Sequence, residues 1–326
     1  MSFTFGDKIK ITLFGQSHGD AMGAVIDGLP AGFPIDFDKL NAFIGRRAPG
    51  GALTTKRKEK DEFKILSGIF EGKTCGAPLC GITENEDVND RDYEKLKNIP
   101  RPSHADYPAF VKYGGFNDYM GGGALSGRIT APLCFAGGII LQMLENKGIS
   151  VKTEIVKIGE KENPSDKEIE NIIDEVRAKG DSVGGKIRCE ITGVPAGIGE
   201  PIFGGLDSAI AHCIFAIPGI KGIEFGETLP FGSENNDEYA YDGEKIISKT
   251  NHQGGMSGGI SNGMPIVFTC TVKPTPSIAA EQKSINLETK ENVTLKIEGR
   301  HDPCILMRVG PAVESAAAIA LIQYLG

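Results

Sequence analysis

The sequence predicts a mixed α+β fold built from two similar halves, and three observations carry that reading. Short runs rich in β-branched residues recur along the whole chain. Several apolar segments have the length and all-round hydrophobicity of buried helices. One strand-and-turn motif occurs twice, about half a chain apart.

Taken in order, strands are expected over 8–14, 23–27, 63–69, 78–83, 150–158, 185–192, 221–225, 264–272 and 293–298, from β-branched content or alternation. Segment 128–147 is apolar around most of its circumference and stops at Gly148, which predicts a helix buried between layers. Segment 165–179 is amphipathic: Ser165 and Glu168 form a capping box, Ile169, Ile172, Ile173 and Val176 make the apolar stripe, and Gly180 ends it. Segments 206–217 and 311–325 are small-residue helix candidates. The polar stretch Gly232 to Gly255 lacks periodicity and is expected to be a mobile loop.

The repeated motif is VIDGLPAG at 25–32 and EITGVPAG at 190–197, each a strand running into the same turn ahead of a helix. A match of this length also arises by chance in a chain with 44 glycines. No Pro- or Ser-rich linker divides the sequence, so a single domain over 1–326 containing two similar halves is expected.

Composition excludes several classes of function. At 40% hydrophobic and 24% charged residues the chain can bury a core and is far from the composition of disorder. The net charge of −8 leaves only one short basic cluster, Arg46 to Lys60, so no nucleic-acid partner is expected. Seven cysteines form no CxxC pair, which fits reduced thiols and implies no metal site. The N-terminal MSFTFGDKIKITLFGQ carries charge too early for a signal peptide, and no apolar run approaches a membrane span. A cytoplasmic protein without a membrane partner is the expectation.

The chemistry-bearing motifs are loops rich in Gly, His and Arg. GQSHG (15–19) puts His18 in a turn at a strand end, with a side chain suited to proton transfer near neutral pH. RPSHADY (101–107) holds His104 with Arg and Asp nearby. GGGALSGRIT (121–130) is a Gly run leading into a helix, where backbone N–H groups, Ser126 and Arg128 can face an anion. NHQGGMSGGISNG (251–263), KPTPS (273–277) and GRHDPC (299–304) complete the set. SGIFEGKT (67–74) imitates a nucleotide-binding P-loop, but Ser67 stands in place of the first Gly and the segment lies between two strands instead of opening a helix.

In this order, GQSHG, RRAPGG, ILSGIFEGKTCGAPL, RPSHADY, GGGALSGR, GGISNG, KPTPS and GRHDPC resemble the chorismate synthase family, from about Phe5 to the last helix. The resemblance implies a β-α-β sandwich, with central helices between two antiparallel sheets and an internal pseudo-twofold repeat, assembled as a homotetramer. It implies a lyase of the shikimate pathway, which serves aromatic amino-acid biosynthesis. Such an enzyme converts 5-enolpyruvylshikimate 3-phosphate to chorismate and phosphate by 1,4-elimination, using reduced FMN without net redox change.

The residues suit that chemistry: His18, His104 and Asp302 can move protons, and Arg46, Arg47, Arg57, Arg128, Arg300 and Arg308 can hold a polyanion. By resemblance His18 protonates the departing phosphate, His104 stabilises the anionic reduced flavin, and Asp302 assists removal of the ring proton. Carried over by position, FMN contacts fall on Ala124, Leu125, Ser126, Pro218, Gly219, Gly258, Lys273, Pro274, Thr275, Pro276, Ser277 and Arg300. Substrate contacts fall on Ser17 and on Arg46, Arg47, Arg57, Arg128 and Arg308. His212, His252 and His301 are left as structural or peripheral. The sequence departs from the family pattern where Ala48 and Ala124 replace a common Arg, where the loop Gly50 to Leu53 is shortened, and at Gly127–Thr130. These departures remove charges that could meet NADPH, so an external flavin reductase is a possible partner. Two other classes compete: a nucleotide-dependent phosphotransferase built on SGIFEGKT, and a flavin- or anion-binding module without catalysis.

Overall fold

The computed structural model describes residues 2–48, 61–85, 97–297 and 302–325. Its first half runs β1 (Thr4–Phe5), β2 (Lys10–Gly15), β3 (Ala21–Asp27), a helix Phe37–Gly45, β4 (Lys64–Ser67), a small hairpin β5 (Ile69–Phe70) and β6 (Lys73–Thr74), then β7 (Leu79–Glu84) and, after a helix Asp106–Tyr113, the long helix Thr130–Glu145. The second half opens with β8 (Ser150–Ile158) and β9 (Lys161–Glu162). A helix Asp166–Ala178 leads to β10 (Gly185–Thr192), and a helix Leu206–Phe215 to β11 (Ile220–Phe225). Two hairpins follow, β12 (Tyr239–Asp242) with β13 (Lys245–Ser248) and β14 (Met256–Ser257) with β15 (Ile260–Ser261). Then come β16 (Ile266–Val272), the hairpin β17 (Gln282–Asn286) and β18 (Glu291–Leu295), and the helix Leu306–Ile322.

Two five-stranded antiparallel sheets result, ordered β1-β2-β3-β7-β4 and β11-β16-β10-β8-β9. Strands β2, β3, β4 and β7 correspond in chain order to β8, β10, β11 and β16, and each set lies in its sheet in the same spatial order, first-second-fourth-third. The repeated turn motif sits at the same place in both halves. Gly28 and Gly193 have φ of +86° and +85°, and a Cβ on either would lie 2.2 or 2.1 Å from a backbone carbonyl oxygen, of Lys8 and Gly148 respectively. Only glycine fits such a left-handed, crowded position.

Helices Thr130–Glu145 and Leu306–Ile322 pack on each other between the sheets, the first against β2, β3 and β7 and the second against β8 and β10. They touch at Gly137, where an added Cβ would stand 2.1 Å from the Cβ of Ser315. One continuous apolar cluster joins both halves. Among the described residues one helical stretch, Gly127–Glu145, is long and apolar enough to cross a membrane, and 83% of it is buried in this core.

The sequence reading needs local correction. The last helix begins at Leu306, before the expected 311, with Pro311 inside it; burial of nearly its whole surface outweighs the backbone hydrogen bond that proline removes. Run 63–69 is interrupted at Gly68, whose φ is +89°. The stretch 232–255 is no plain loop but holds a short helix and the β12–β13 hairpin. Asp237 fastens it by accepting hydrogen bonds from the backbone N–H groups of His252 and Gln253 and from the Thr250 hydroxyl. β17, and the helices Phe37–Gly45 and Asp106–Tyr113, had no sequence expectation. The P-loop imitation forms the end of β4 and the β5–β6 hairpin, with no helix for phosphates to cap.

Candidate active site

Loops from both halves enclose a cavity of about 770 Å³. Its polar end is set by the Gly run 121–123, all three residues having positive φ, from 54° to 89°. That conformation lets the backbone pass between two histidines. A Cβ on Gly121 would lie 2.2 Å from Cε1 of His18, and one on Gly122 would lie 3.1 Å from Cε1 of His104. The Gly123 carbonyl accepts a hydrogen bond from the backbone N–H of Ser17 at 3.2 Å, fixing the GQSHG turn at the end of β2. Ser126 then caps the turn before the long helix, its hydroxyl accepting from the backbone N–H of Arg128 at 3.3 Å.

Three arginines are held by buried acids. Arg47 and Arg128 both pair with Asp61, whose side chain is fully buried and whose backbone is left-handed at φ +52°. Arg47 Nε also donates to the Thr130 hydroxyl at 3.0 Å, and Arg128 Nε to Asn85 Oδ1 at 3.0 Å. Burial pushes the Asp61 carboxyl up, but the two guanidiniums outweigh it and leave the group below the usual carboxylate range. Arg308 donates through Nη1 to Asp302 Oδ2 at 3.0 Å and through Nε to the Arg47 carbonyl at 2.9 Å. Burial raises Asp302 above its ordinary value despite Arg308, so this carboxyl holds a proton more readily than a solvated one.

His104 sits in a tight turn before the Asp106–Tyr113 helix. Its Nδ1 is 2.6 Å from Asp106 Oδ1, and Asp106 also accepts Nε and Nη2 of Arg101 at 2.8 and 2.9 Å. Burial pulls His104 below its ordinary value; Asp106 acts against that and Arg101 with it. From the second half come Pro218, Gly219 and Lys221 at β11 and the segment Lys273–Ser277 after β16. Burial, together with Lys221 nearby, lowers the Lys273 ammonium from its ordinary value. The Thr275 hydroxyl oxygen is buried with no hydrogen-bond partner among the described residues, a polar group left for a ligand.

Of the residues singled out from sequence, Ser17, Arg47, His104, Ala124, Leu125, Ser126, Arg128, Pro218, Gly219, Lys273 to Ser277, Asp302 and Arg308 line this one cavity. His18 packs at its edge against Gly121. Arg46 and Gly258 lie outside the lining: Arg46 forms a two-pronged pair with buried Glu314 at 2.7 and 2.8 Å, and Gly258 turns the β14–β15 hairpin. Arg57 and Arg300, with His301, fall outside the described residues. His212 also lines the cavity, at its apolar end near Phe5. Sequence reasoning noted Arg101 and Asp106 beside His104 but gave them no role, and it missed Asp61 and Lys221. The first two lay inside the RPSHADY motif, where the His–Asp spacing was an available signal; Asp61 and Lys221 had none.

Comparison with known proteins places the chain in a family. A family profile described as chorismate synthase matches residues 9–325. A chorismate synthase of Methanobrevibacter smithii is 42% identical, covering 100% of this chain and 96% of its own length. One of Thermococcus kodakarensis is 40% identical, covering 98% and 96%. A solved structure titled as the crystal structure of chorismate synthase superposes with a TM-score of 0.76 at 27% identity, over 98% of this chain and 92% of that one. By sequence over its whole length and by fold, the chain belongs to the chorismate synthase family.

Proposed function

We propose that this cavity eliminates phosphate from 5-enolpyruvylshikimate 3-phosphate to give chorismate, with reduced FMN bound beside the substrate. The observation that carries the reading is that His104, Arg47, Arg128, Arg308 and buried Asp302 line a single cavity, with His18 at its edge across the same Gly run. A substrate bearing a phosphate and a carboxylate needs such fixed guanidiniums, and elimination needs a proton donor and a proton acceptor.

The residues fit a flavin mononucleotide. The buried Thr275 hydroxyl, Lys273 and Ser277 offer donors for its polar groups, and Ala124–Ser126 with Pro218 and Gly219 give small or flat surfaces for a ring system. Reduced FMN, when bound, supplies the electron density that eases departure of the allylic phosphate. His18 then has the role of giving a proton to the leaving phosphate oxygen. His104, as the imidazolium, places a positive charge where negative charge collects, and Asp302 assists removal of the ring proton. Substrate roles follow for Ser17, Arg47, Arg128 and Arg308. The rest of the reading is that residues 1–326 work as one domain, in a cytoplasmic homotetramer. Ala48 and Ala124 stand where the family commonly has Arg, which removes two charges that could meet NADPH and favours an external reductase as the source of reduced flavin.

The test is anaerobic incubation with substrate and chemically reduced FMN, assaying chorismate and phosphate together. Equal amounts of both, in excess over flavin, are expected. Absence of either product, or one product per flavin, overturns the reading.

A further inference from the structure

We infer that Asp106, braced by Arg101, is the positioning residue that fixes which nitrogen of His104 faces the cavity; this deepens the functional reading above and rests on it. The carboxylate sits behind the imidazole. Its Oδ1 is 2.6 Å from His104 Nδ1, so Nδ1 donates its proton there and Nε2 is left as the nitrogen on the cavity side, beside Gly122. Arg101 Nη2 also approaches Nδ1, at 3.1 Å. The guanidinium would donate to a bare Nδ1 and so favours the other tautomer, but the charged carboxylate is the nearer partner, at 2.6 Å against 3.1 Å, and it can only accept; it decides for Nδ1–H.

Asp106 is itself held from three directions. Arg101 binds it two-pronged through the side chain, and the Arg101 backbone N–H donates to Oδ2 at 3.0 Å. Asp106 is also the first residue of its helix, where the helix dipole favours a negative charge. These bonds together hold its carboxyl far below the usual range, against the upward push of burial. The turn is tied to the flavin-side segment as well: Arg101 Nη1 donates to the Ser277 hydroxyl at 3.3 Å, and the Lys273 ammonium donates to the Ser103 carbonyl. Among the described residues, the charged groups facing His104 are Asp106 and Arg101 from its own turn and Lys273 from the segment after β16, while Gly122 brings no charge.

The experiment is ¹⁵N spectroscopy of the imidazoles in the full-length protein, across pH 5 to 8, with turnover measured in parallel. In the wild type the neutral His104 signal is expected to show protonated Nδ1 and bare Nε2. In Asp106→Asn the amide oxygen is drawn to Arg101, so the NH₂ faces Nδ1. The proton should then move to Nε2, His104 should titrate at lower pH because the carboxylate that supports its cation is gone, and turnover at pH 7 should fall by roughly 10²-fold, the lower end of what one group stabilising a developing anion contributes. Arg101→Lys should keep the wild-type tautomer, because the carboxylate stays charged. A wild-type signal with Nε2 protonated overturns the inference, and so does an Asp106→Asn protein with unchanged tautomer, titration and rate. If Asp106→Asn does not fold, the wild-type spectrum alone decides. Full turnover in His104→Gln would instead remove the role of His104 and leave the tautomer result standing on its own.

Discussion

Gly121 lies so close to His18 that a methyl group on it would stand 2.2 Å from the ring's Cε1 and 2.4 Å from Nδ1. The glycine is also left-handed, at φ +58°. Gly121→Ala therefore meets two penalties: about 1–2 kcal/mol for the backbone conformation, and displacement of the histidine itself. We expect a modest fall in melting temperature and a loss of turnover as large as that of His18→Ala. Phosphate release and thermal unfolding on the same samples check this. Turnover retained in Gly121→Ala would mean that His18 is not held where the chemistry needs it.

Asp61 is the common partner of Arg47 and Arg128, and its own side chain has no exposure. Breaking a buried pair by removing one charge typically costs about 3–5 kcal/mol, because the other charges remain buried without compensation. Asp61→Asn should lose stability on that scale near neutral pH and bind substrate more weakly as the two guanidiniums drift. Urea unfolding and KM measure the two effects. An Asn variant as stable as wild type would show that the arginines find other partners.

What could be read from the sequence was whatever local spacing encodes. The capping box at Ser165 and Glu168 closes as expected, and the two PAG turns mark matching corners of the two sheets. Long-range pairing was not legible. Arg46 and Arg47 are neighbours with the same side chain, yet they point to different places. Arg47 turns into the cavity and Arg46 toward Glu314, because adjacent residues at a helix end face directions about 100° apart. Asp61 reads as one more charge in a polar run, and only the convergence of Arg47 and Arg128 from distant segments explains its burial. Stretch 232–255 looked unstructured because its order comes from backbone pairing in the β12–β13 hairpin and from the Asp237 carboxylate, and not from an apolar face.

The internal repeat gives a paired stability prediction. Gly28→Ala and Gly193→Ala should each cost more than about 3 kcal/mol or prevent folding, since a backbone carbonyl lies 2.2 or 2.1 Å from the new atom. The neighbouring pair, Gly32 and Gly197, has φ of +85° and +91° but open space around it, so alanine there should cost only about 1–2 kcal/mol. Denaturant melts of the four variants should fall into these two pairs. A sorting by half of the chain instead of by position would contradict the equivalence of the two turns.

Asp302 and Asp61 should respond to pH in opposite senses. Asp302 is raised above the ordinary 3.8, so between 3.8 and its folded value the native protein holds a proton that the unfolded chain has released. Its contribution to stability is full below 3.8 and is lost as pH rises through the folded value. Asp61 is lowered, so its contribution is full above 3.8 and is lost as pH falls through its folded value. The stability gap between wild type and Asp302→Asn should therefore shift in favour of wild type on acidification from pH 7 toward 4. The gap for Asp61→Asn should stay level over that range and narrow only below it. The common cost of leaving Arg308 without its partner offsets the first curve but does not change its slope. Urea unfolding of the three proteins from pH 3 to 8 measures both curves. Parallel curves would mean that the Arg308 pair, not burial, governs Asp302. Such an Asp302 would be ionised through the whole range and ill suited to hold the ring proton, so Asp302→Asn would then lose far less than the roughly 10²- to 10⁴-fold in rate expected of a positioned base.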